Sequence, residues 1–179
     1  MFSTSIRDGF ELRLLEERHA DEMFATIERN REYLRQWLPW VDATRSADDG
    51  LVFIRSVLEM FAAHDGFTAA IWHRGRVAGV IGTHRIDWRN RRAELGYWLA
   101  EEFQGRGIMT EACRLAIARL FDEMDLHRVE IRCAAGNAKS NAIPRRLGFK
   151  LEGTHRDAEL VNGRYHDLLV YAMLKSEWT

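Results

Sequence analysis

Along this chain the apolar residues recur with two alternating periods, and the switches between them predict an order of elements. Alternation at Phe10, Leu12 and Leu14 predicts a first strand over 10–15. Residues 17–30 and 31–38 read as helical, with Pro39 closing the second helix. Ser46-Ala47-Asp48-Asp49 is an N-terminal cap pattern for a further helix, whose apolar residues Leu51, Ile54, Leu58 and Phe61 recur at helical spacing. Three strands are then predicted in meander order: 67–73, the Arg74-Gly75 turn, 77–86 and 92–99. A helix over 108–124 carries a polar stripe at Glu111, Arg114 and Asp122 and is otherwise apolar, as a helix laid on a sheet should be. Over 127–133, Val129, Ile131 and Cys133 alternate with Arg128, Glu130 and Arg132, which predicts a strand. Ser140 or Asn141 is the expected cap of the next helix. That puts Pro144 in or just after the first turn, where its missing N–H does no harm, and Gly148 ends the helix. Strands over 149–156 and 165–174 flank Asn162-Gly163, a strong short hairpin signal.

The expected fold class is therefore mixed α/β (α+β): one domain over 1–179, with helices flanking a largely antiparallel central sheet. The helix over 108–124 crosses over between two neighbouring parallel strands. The 179 residues suffice for one full core, and 46% hydrophobic with 30% charged residues is a globular balance. A net charge of −1 gives no bulk pull toward nucleic acid or an anionic membrane, so neither is an expected partner. Two cysteines, Cys113 and Cys133, make neither a disulfide framework nor a metal-ligand pattern, and the seven histidines lack metal spacing, so no metal is expected. No signal peptide and no apolar run near about 18 residues is visible, and a reduced, cytoplasmic location is expected.

The densest chemistry lies over 94–111. The strand over 92–99 ends in a short charged turn, and the chain passes through Gln104-Gly105-Arg106-Gly107 straight into the apolar helix. Glycines at such a corner let successive backbone N–H groups converge without side chains in the way, and the helix start adds its own unpaired N–H groups. A phosphate fits there; a merely tight connection with incidental glycines is the alternative. A dinucleotide-type corner is disfavoured, because Thr110 stands where its third glycine would be, and no Gly-Lys-Ser/Thr follows for a nucleotide P-loop.

This corner resembles the cofactor loop of the GNAT superfamily of acetyl-CoA-dependent N-acetyltransferases, Gln/Arg-x-x-Gly-x-Gly/Ala. Gln104, Gly107 and Met109 stand at the motif positions, Met109 replacing the small last residue. Asn137-Ala138-Lys139-Ser140 and Leu147-Gly148-Phe149 are similar to the family's downstream elements, and the segment from Arg31 to Asp42 resembles the branch that acetylates the N-terminal serine of a ribosomal protein. The resemblance implies acetyl-CoA as donor and attack of an amine in a ternary complex. It implies that the backbone of Gly105, Arg106, Gly107, Ile108 and Met109, with the Thr110 hydroxyl, meets the pyrophosphate. Trp98 and Leu99 would offer backbone groups to the pantetheine and polarise the thioester carbonyl. Asn137 would bond the pantetheine arm, with Asn141 beside it, and Ser140 would protonate the leaving thiolate. Helix capping is the other role open to Asn137 and Ser140. Arg146, Arg145 and Lys139 are candidates for the 3′-phosphate, or simply a solvated helix face.

An ammonium has no lone pair, so transfer to an amine needs a base. Glu159, flanked by Ala158 and Leu160 before the hairpin, matches the base of the serine branch, and that apolar flank would raise its pKa. Glu94 matches a base position used elsewhere in the superfamily and ranks second; a surface or salt-bridged carboxylate is the bland reading of either. Cys133, on the apolar side of its strand, reads as structural. Tyr33, Trp37 and Trp40 line an acceptor pocket or pack helix on sheet. The implied acceptor is a protein N-terminus. A small amine (polyamine, amino acid or antibiotic) and a non-catalytic acyl-CoA-binding module are the rivals, and a homodimer fits the branch.

Overall fold

The computed structural model describes residues 3–178. Its strands are β1 (Ser3–Ser5), β2 (Phe10–Leu14), β3 (Thr68–His73), β4 (Arg76–Thr83), β5 (Arg92–Leu99), β6 (Arg128–Ala134), β7 (Lys150–Val161) and β8 (Arg164–Leu174). They form one sheet in the order β1-β2-β3-β4-β5-β6-β8-β7. The helices are α1 (Ala20–Arg29), α2 (Arg31–Leu34), α3 (Ala47–Ala62), α4 (Ile108–Ala118) and α5 (Ala138–Arg146). Every strand pair is antiparallel except β5 with β6, which α4 connects as the apolar pattern requires.

The sheet separates two apolar clusters. Ile71, Ile81, Leu95, Val129 and Ile131 pack with Ile108, Ala112, Ala116 and Ile117 of α4. On the other face Ala70, Trp72 and Val80 meet Met23 and Ile27 of α1 and Ile54 and Val57 of α3. The strand period of two thus feeds both layers from one run of residues. Ser46 caps α3 as its sequence predicts: Asp49 N–H donates to Ser46 Oγ (3.3 Å) and Ser46 N–H to Asp49 Oδ2 (3.0 Å). Among the described residues no helix is long and apolar enough to cross a membrane.

Several elements differ from expectation. Helix 31–38 is α-helical only to Leu34 and continues as turns. The helix over 108–124 leaves α geometry at Ala118 and finishes as a π turn over Arg119–Glu123. β1 is an unforeseen edge strand, and β7 runs five residues past the expected 156, to Val161. The cap of α5 is Asn137, not Ser140 or Asn141: its side chain accepts the Ser140 N–H at 3.1 Å. Pro144 therefore lies inside α5 rather than in its first turn. Gly148 ends the helix as expected, with φ 82°, Gly148 N–H donating to Arg145 O (3.2 Å) and Phe149 N–H to Pro144 O (2.9 Å).

One pairing detail positions everything that follows. The parallel pairing of β5 with β6 stops after Arg92↔Arg128, Ala93↔Val129 and Glu94↔Glu130, although β5 continues to Leu99 and β6 to Ala134. His84 N–H donates to Glu94 O (2.9 Å) and Ala100 N–H to Ala78 O (2.8 Å), so the even-numbered residues of this stretch turn their peptide groups toward β4, and Trp98, expected to offer its backbone to the pantetheine, pairs with Val80 instead. By alternation the odd-numbered residues face β6: the Leu95 N–H belongs to the last pair, at Glu94↔Glu130, and beyond it Tyr97 and Leu99 turn their peptide groups into the opening between β5 and β6.

Candidate active site

The opening leads into two confluent cavities. One, of about 450 Å³, is lined by the Gln104–Thr110 corner, Arg7, Lys139 and Arg146. The other, of about 680 Å³, is lined by Trp40, Phe53, His84, Glu94, Arg132 and Glu159. They share Trp37, Leu38, Tyr97, Trp98, Asn137 and Ser140 as a common wall, so a molecule in each would meet there.

The corner itself is built by two glycines. Gly105 and Gly107 adopt φ of 74° and 75°, a region that penalises any side chain, and Gly107 is the N-cap of α4. A Cβ on Gly105 would meet nothing, whereas one on Gly107 would sit 3.3 Å from Arg7 Nη1. Gln104 locks the loop: its Nε2 donates to Leu99 O (3.1 Å) and its Oε1 accepts from Lys139 Nζ (2.8 Å). Ile108, Met109 and Thr110 line the same cavity. Arg106 turns outward, donating to Glu102 O (3.2 Å), so only its backbone belongs to the corner. Arg146 faces the cavity, its Nη1 3.5 Å from Thr110 Oγ1, while Arg145 turns away and donates to Tyr171 Oη (3.1 Å). Arg7, from the tight turn at Asp8-Gly9, lines this cavity, which Arg145 does not. The corner thus offers converging N–H groups, a helix start and three cations, Arg7, Lys139 and Arg146, against one carboxylate, Glu111. That is a fit for a polyphosphate.

At the junction, Ser140 Oγ donates to Cys133 Sγ (3.2 Å), and Tyr97 Oη donates to Ser140 O (3.3 Å). Burial pushes the Cys133 thiol up, which keeps it a thiol rather than a nucleophile. Asn141 does not line either cavity. It is buried, and its Nδ2 donates to Ala134 O (2.9 Å) and Asn137 O (2.7 Å), pinning the β6–α5 corner from inside.

The two carboxylates of the second cavity have opposite surroundings. Glu94 is ion-paired with Arg132, whose Nε lies 3.3 Å away, and His84 Nε2 stands 3.8 Å from it on the other side. Glu159 has no ion-pair partner among the described residues and is half-buried. Burial pushes its carboxyl up; His166 opposes this, and Glu94 adds to it. The direction matches the expectation but the cause does not. Ala158 and Leu160 are exposed, and the desolvation comes from the cavity wall. A bulge sets this side chain inward. The β7–β8 register breaks between His155 and Glu159, where Asp157 takes φ 47° and its N–H donates to Asp167 Oδ1 (2.9 Å). The neighbouring hairpin packs on the 31–42 segment. Asn162 Nδ2 donates to Arg35 O (2.7 Å), and Trp37 meets His166 edge-on at 6.2 Å.

Arg7, Tyr97 and Arg132 were absent from the residues singled out by sequence. Asp8-Gly9 is a readable turn signal, and Arg132 lies on the polar side of its predicted strand. Nothing local marks Tyr97.

A family profile described as "Acetyltransferase (GNAT) domain" matches residues 10–150, and the chain belongs to this family. It is an acetyl-CoA-dependent N-acetyltransferase. Over 99% of its length it is 41% identical to "Putative ribosomal N-acetyltransferase YdaF" of Bacillus subtilis, covering 98% of that protein. It is 31% identical to the "Ribosomal-protein-serine acetyltransferase" of Escherichia coli, with 94% of each chain covered. The solved structure of RimL, a ribosomal α-N-protein acetyltransferase, in complex with coenzyme A superimposes with a TM-score of 0.92 at 30% identity, covering 97% of this chain and 98% of that one.

Proposed function

We propose that this enzyme acetylates the α-amino group of a protein N-terminus, with the N-terminal serine of a ribosomal protein as its acceptor. The observation that carries the reading is Glu159: a half-buried carboxylate with a raised pKa and no ion-pair partner among the described residues, in the cavity that adjoins the cofactor corner. A base raised from its ordinary value suits an α-amine, whose pKa near 8 is about two units below that of lysine. The names of the relatives at 41% and 31% identity support a ribosomal acceptor.

In this reading Glu159, directly or through a water, takes the proton of the ammonium, and the neutral nitrogen attacks the thioester carbon. Backbone N–H groups of Tyr97 and Leu99, left unpaired by the divergence of β5 and β6, hold the developing oxyanion. The C–S bond then breaks, Ser140 gives its proton to the thiolate, and the second proton of the now cationic nitrogen restores the Ser140 hydroxyl as the amide forms. The open side of the second cavity, between the Asn162-Gly163 hairpin and the 31–42 segment, receives the first residues of the acceptor chain.

The test is mass spectrometry after incubation with acetyl-CoA and peptides that differ only at residue one. A Ser-initiated peptide is expected to gain one acetyl on its α-amine, ahead of internal lysines. Equal modification of a blocked, lysine-bearing control, or activity only on free polyamines, amino acids or antibiotics, would transfer the function to small amines. Binding without turnover on any amine would make the chain a carrier.

A further inference from the structure

We infer that Pro144 and Tyr97 form a latch that positions the Ser140 hydroxyl at the junction of the two cavities. The inference rests on the proposed role of Ser140 as proton donor and adds two residues that act through it.

The starting point is a local rule that this chain breaks. A proline inside a helix removes one i→i−4 hydrogen bond and crowds the carbonyl four residues back. In α5 that carbonyl belongs to Ser140. The neighbouring rungs of the ladder are made, including Asn141 N–H to Asn137 O (3.0 Å) and Leu147 N–H to Ile143 O (3.1 Å). The orphaned Ser140 carbonyl is taken instead by Tyr97, whose hydroxyl donates to it at 3.3 Å. Tyr97 reaches α5 because β5 has parted from β6 at this level. With its proton turned to the carbonyl, its oxygen presents lone pairs to Ser140 Oγ, 3.5 Å away, and Cys133 is the rival acceptor beside it. The Ser140 hydroxyl is therefore held between two acceptors, Tyr97 Oη and Cys133 Sγ, with its backbone tied by Asn137 at one end and Tyr97 at the other. Burial pushes the Tyr97 phenol well up, so the latch persists across the working pH range. A proline in an interior position, an orphaned carbonyl and a buried phenol thus converge on one residue. Local rules broken without local benefit mark places where function sets the geometry.

Three variants test this. Tyr97→Phe removes the donor and is expected to lower kcat by roughly 5- to 30-fold, the span of a coupled contact, with acetyl-CoA affinity by calorimetry unchanged. Pro144→Ala supplies the missing N–H to the Ser140 carbonyl and displaces Tyr97; it is expected to raise the melting temperature while lowering kcat. A merely structural proline would not produce that opposition. In a Ser140→Ala background, Tyr97→Phe is expected to have no further effect. The latch is overturned if Tyr97→Phe leaves kcat unchanged, if its effect multiplies with that of Ser140→Ala, or if Pro144→Ala is folded and fully active. Ser140→Ala with undiminished kcat would overturn the proton-donor role, and with it the latch. A slow Ser140→Ala beside a fully active Tyr97→Phe would overturn the latch alone.

Discussion

Glu159 and Glu94 share a cavity, yet their neighbours assign them different work. Glu94 is ion-paired with Arg132, whereas Glu159 meets the cavity wall without a counter-ion among the described residues. A base acts deprotonated, so kcat/KM should rise with pH through the Glu159 pKa, on an acid limb displaced upward from that of an ordinary glutamate. Glu159→Gln is expected to lower turnover by roughly 10²–10⁴-fold, the usual contribution of a positioned base, while leaving acetyl-CoA binding intact. Glu94 raises the Glu159 pKa, so Glu94→Gln should move the acid limb to lower pH; His166 lowers it, so His166→Gln should move the limb to higher pH. Opposite shifts in the two pH–rate profiles are the check. An abolished rate in Glu94→Gln beside an undiminished one in Glu159→Gln would exchange their roles. At the cofactor corner, Gly107→Val imposes a β-branched side chain on φ 75° and crowds Arg7. Its acetyl-CoA affinity should fall by orders of magnitude in calorimetry, with a melting curve that stays cooperative.

At the scale of elements, a row of charges links β5, β6 and β7 at the end where β5 and β6 still pair. Glu94, Arg132, Glu130, Arg128 and Glu152 alternate in sign across the three strands, with Glu130, 8% exposed, at the centre. Burial alone would raise the Glu130 carboxyl, but the bonds from Arg128 and Arg132 outweigh it and hold the group below its ordinary value. A carboxyl depressed in the folded state stabilises the fold above its unfolded pKa, and that stabilisation is lost as pH falls through the folded one. Glu130→Gln should therefore cost roughly 2–4 kcal/mol at pH 7 and progressively less in acid, read by urea denaturation at both. Strand identities here were legible because β6 alternates cleanly and Asn162-Gly163 supplies the two positive φ values of a tight hairpin turn, 51° and 76°. The bulge that aims Glu159 was not, because residues 156–158 carry neither Gly nor Pro and the kink depends on Asp167 across the ladder. The cap of α5 was ambiguous for a related reason. Asn137, Ser140 and Asn141 all suit a cap, and the register was chosen by the buried Asn141 amide meeting Ala134, a tertiary contact. Gln104, Gly105 and Gly107 needed no tertiary information to be read as a corner, whereas Arg7 joined it through pairing with a distant strand.

Considered whole, the sheet is two blocks, β1 to β5 and β6 with β8 and β7, joined by three parallel residue pairs and the α4 crossover. The divergence that opens the active site also removes hydrogen bonds that would stiffen this seam. A donor molecule seated there touches the corner on one block and Asn137 and Ser140 on the other, so its binding energy acts across the seam. Ligands that bind only the folded state stabilise it by about 2.7 kcal/mol at a hundredfold excess over Kd. For a chain of 179 residues that corresponds to a rise of roughly 5–10 °C in melting temperature. The gain should be localised. Hydrogen exchange of the Tyr97 and Leu99 amides, which face the opening, and of the Gly105–Thr110 amides should slow markedly with acetyl-CoA. The amides of β3 and β4, already paired on both sides, should change little. Uniform protection over all strands would mean that the ligand stabilises the fold as one unit and that the seam is not a weak point. Protection confined to the corner, without Tyr97 and Leu99, would mean that the thioester arm does not use the backbone of β5, and the oxyanion would need another donor.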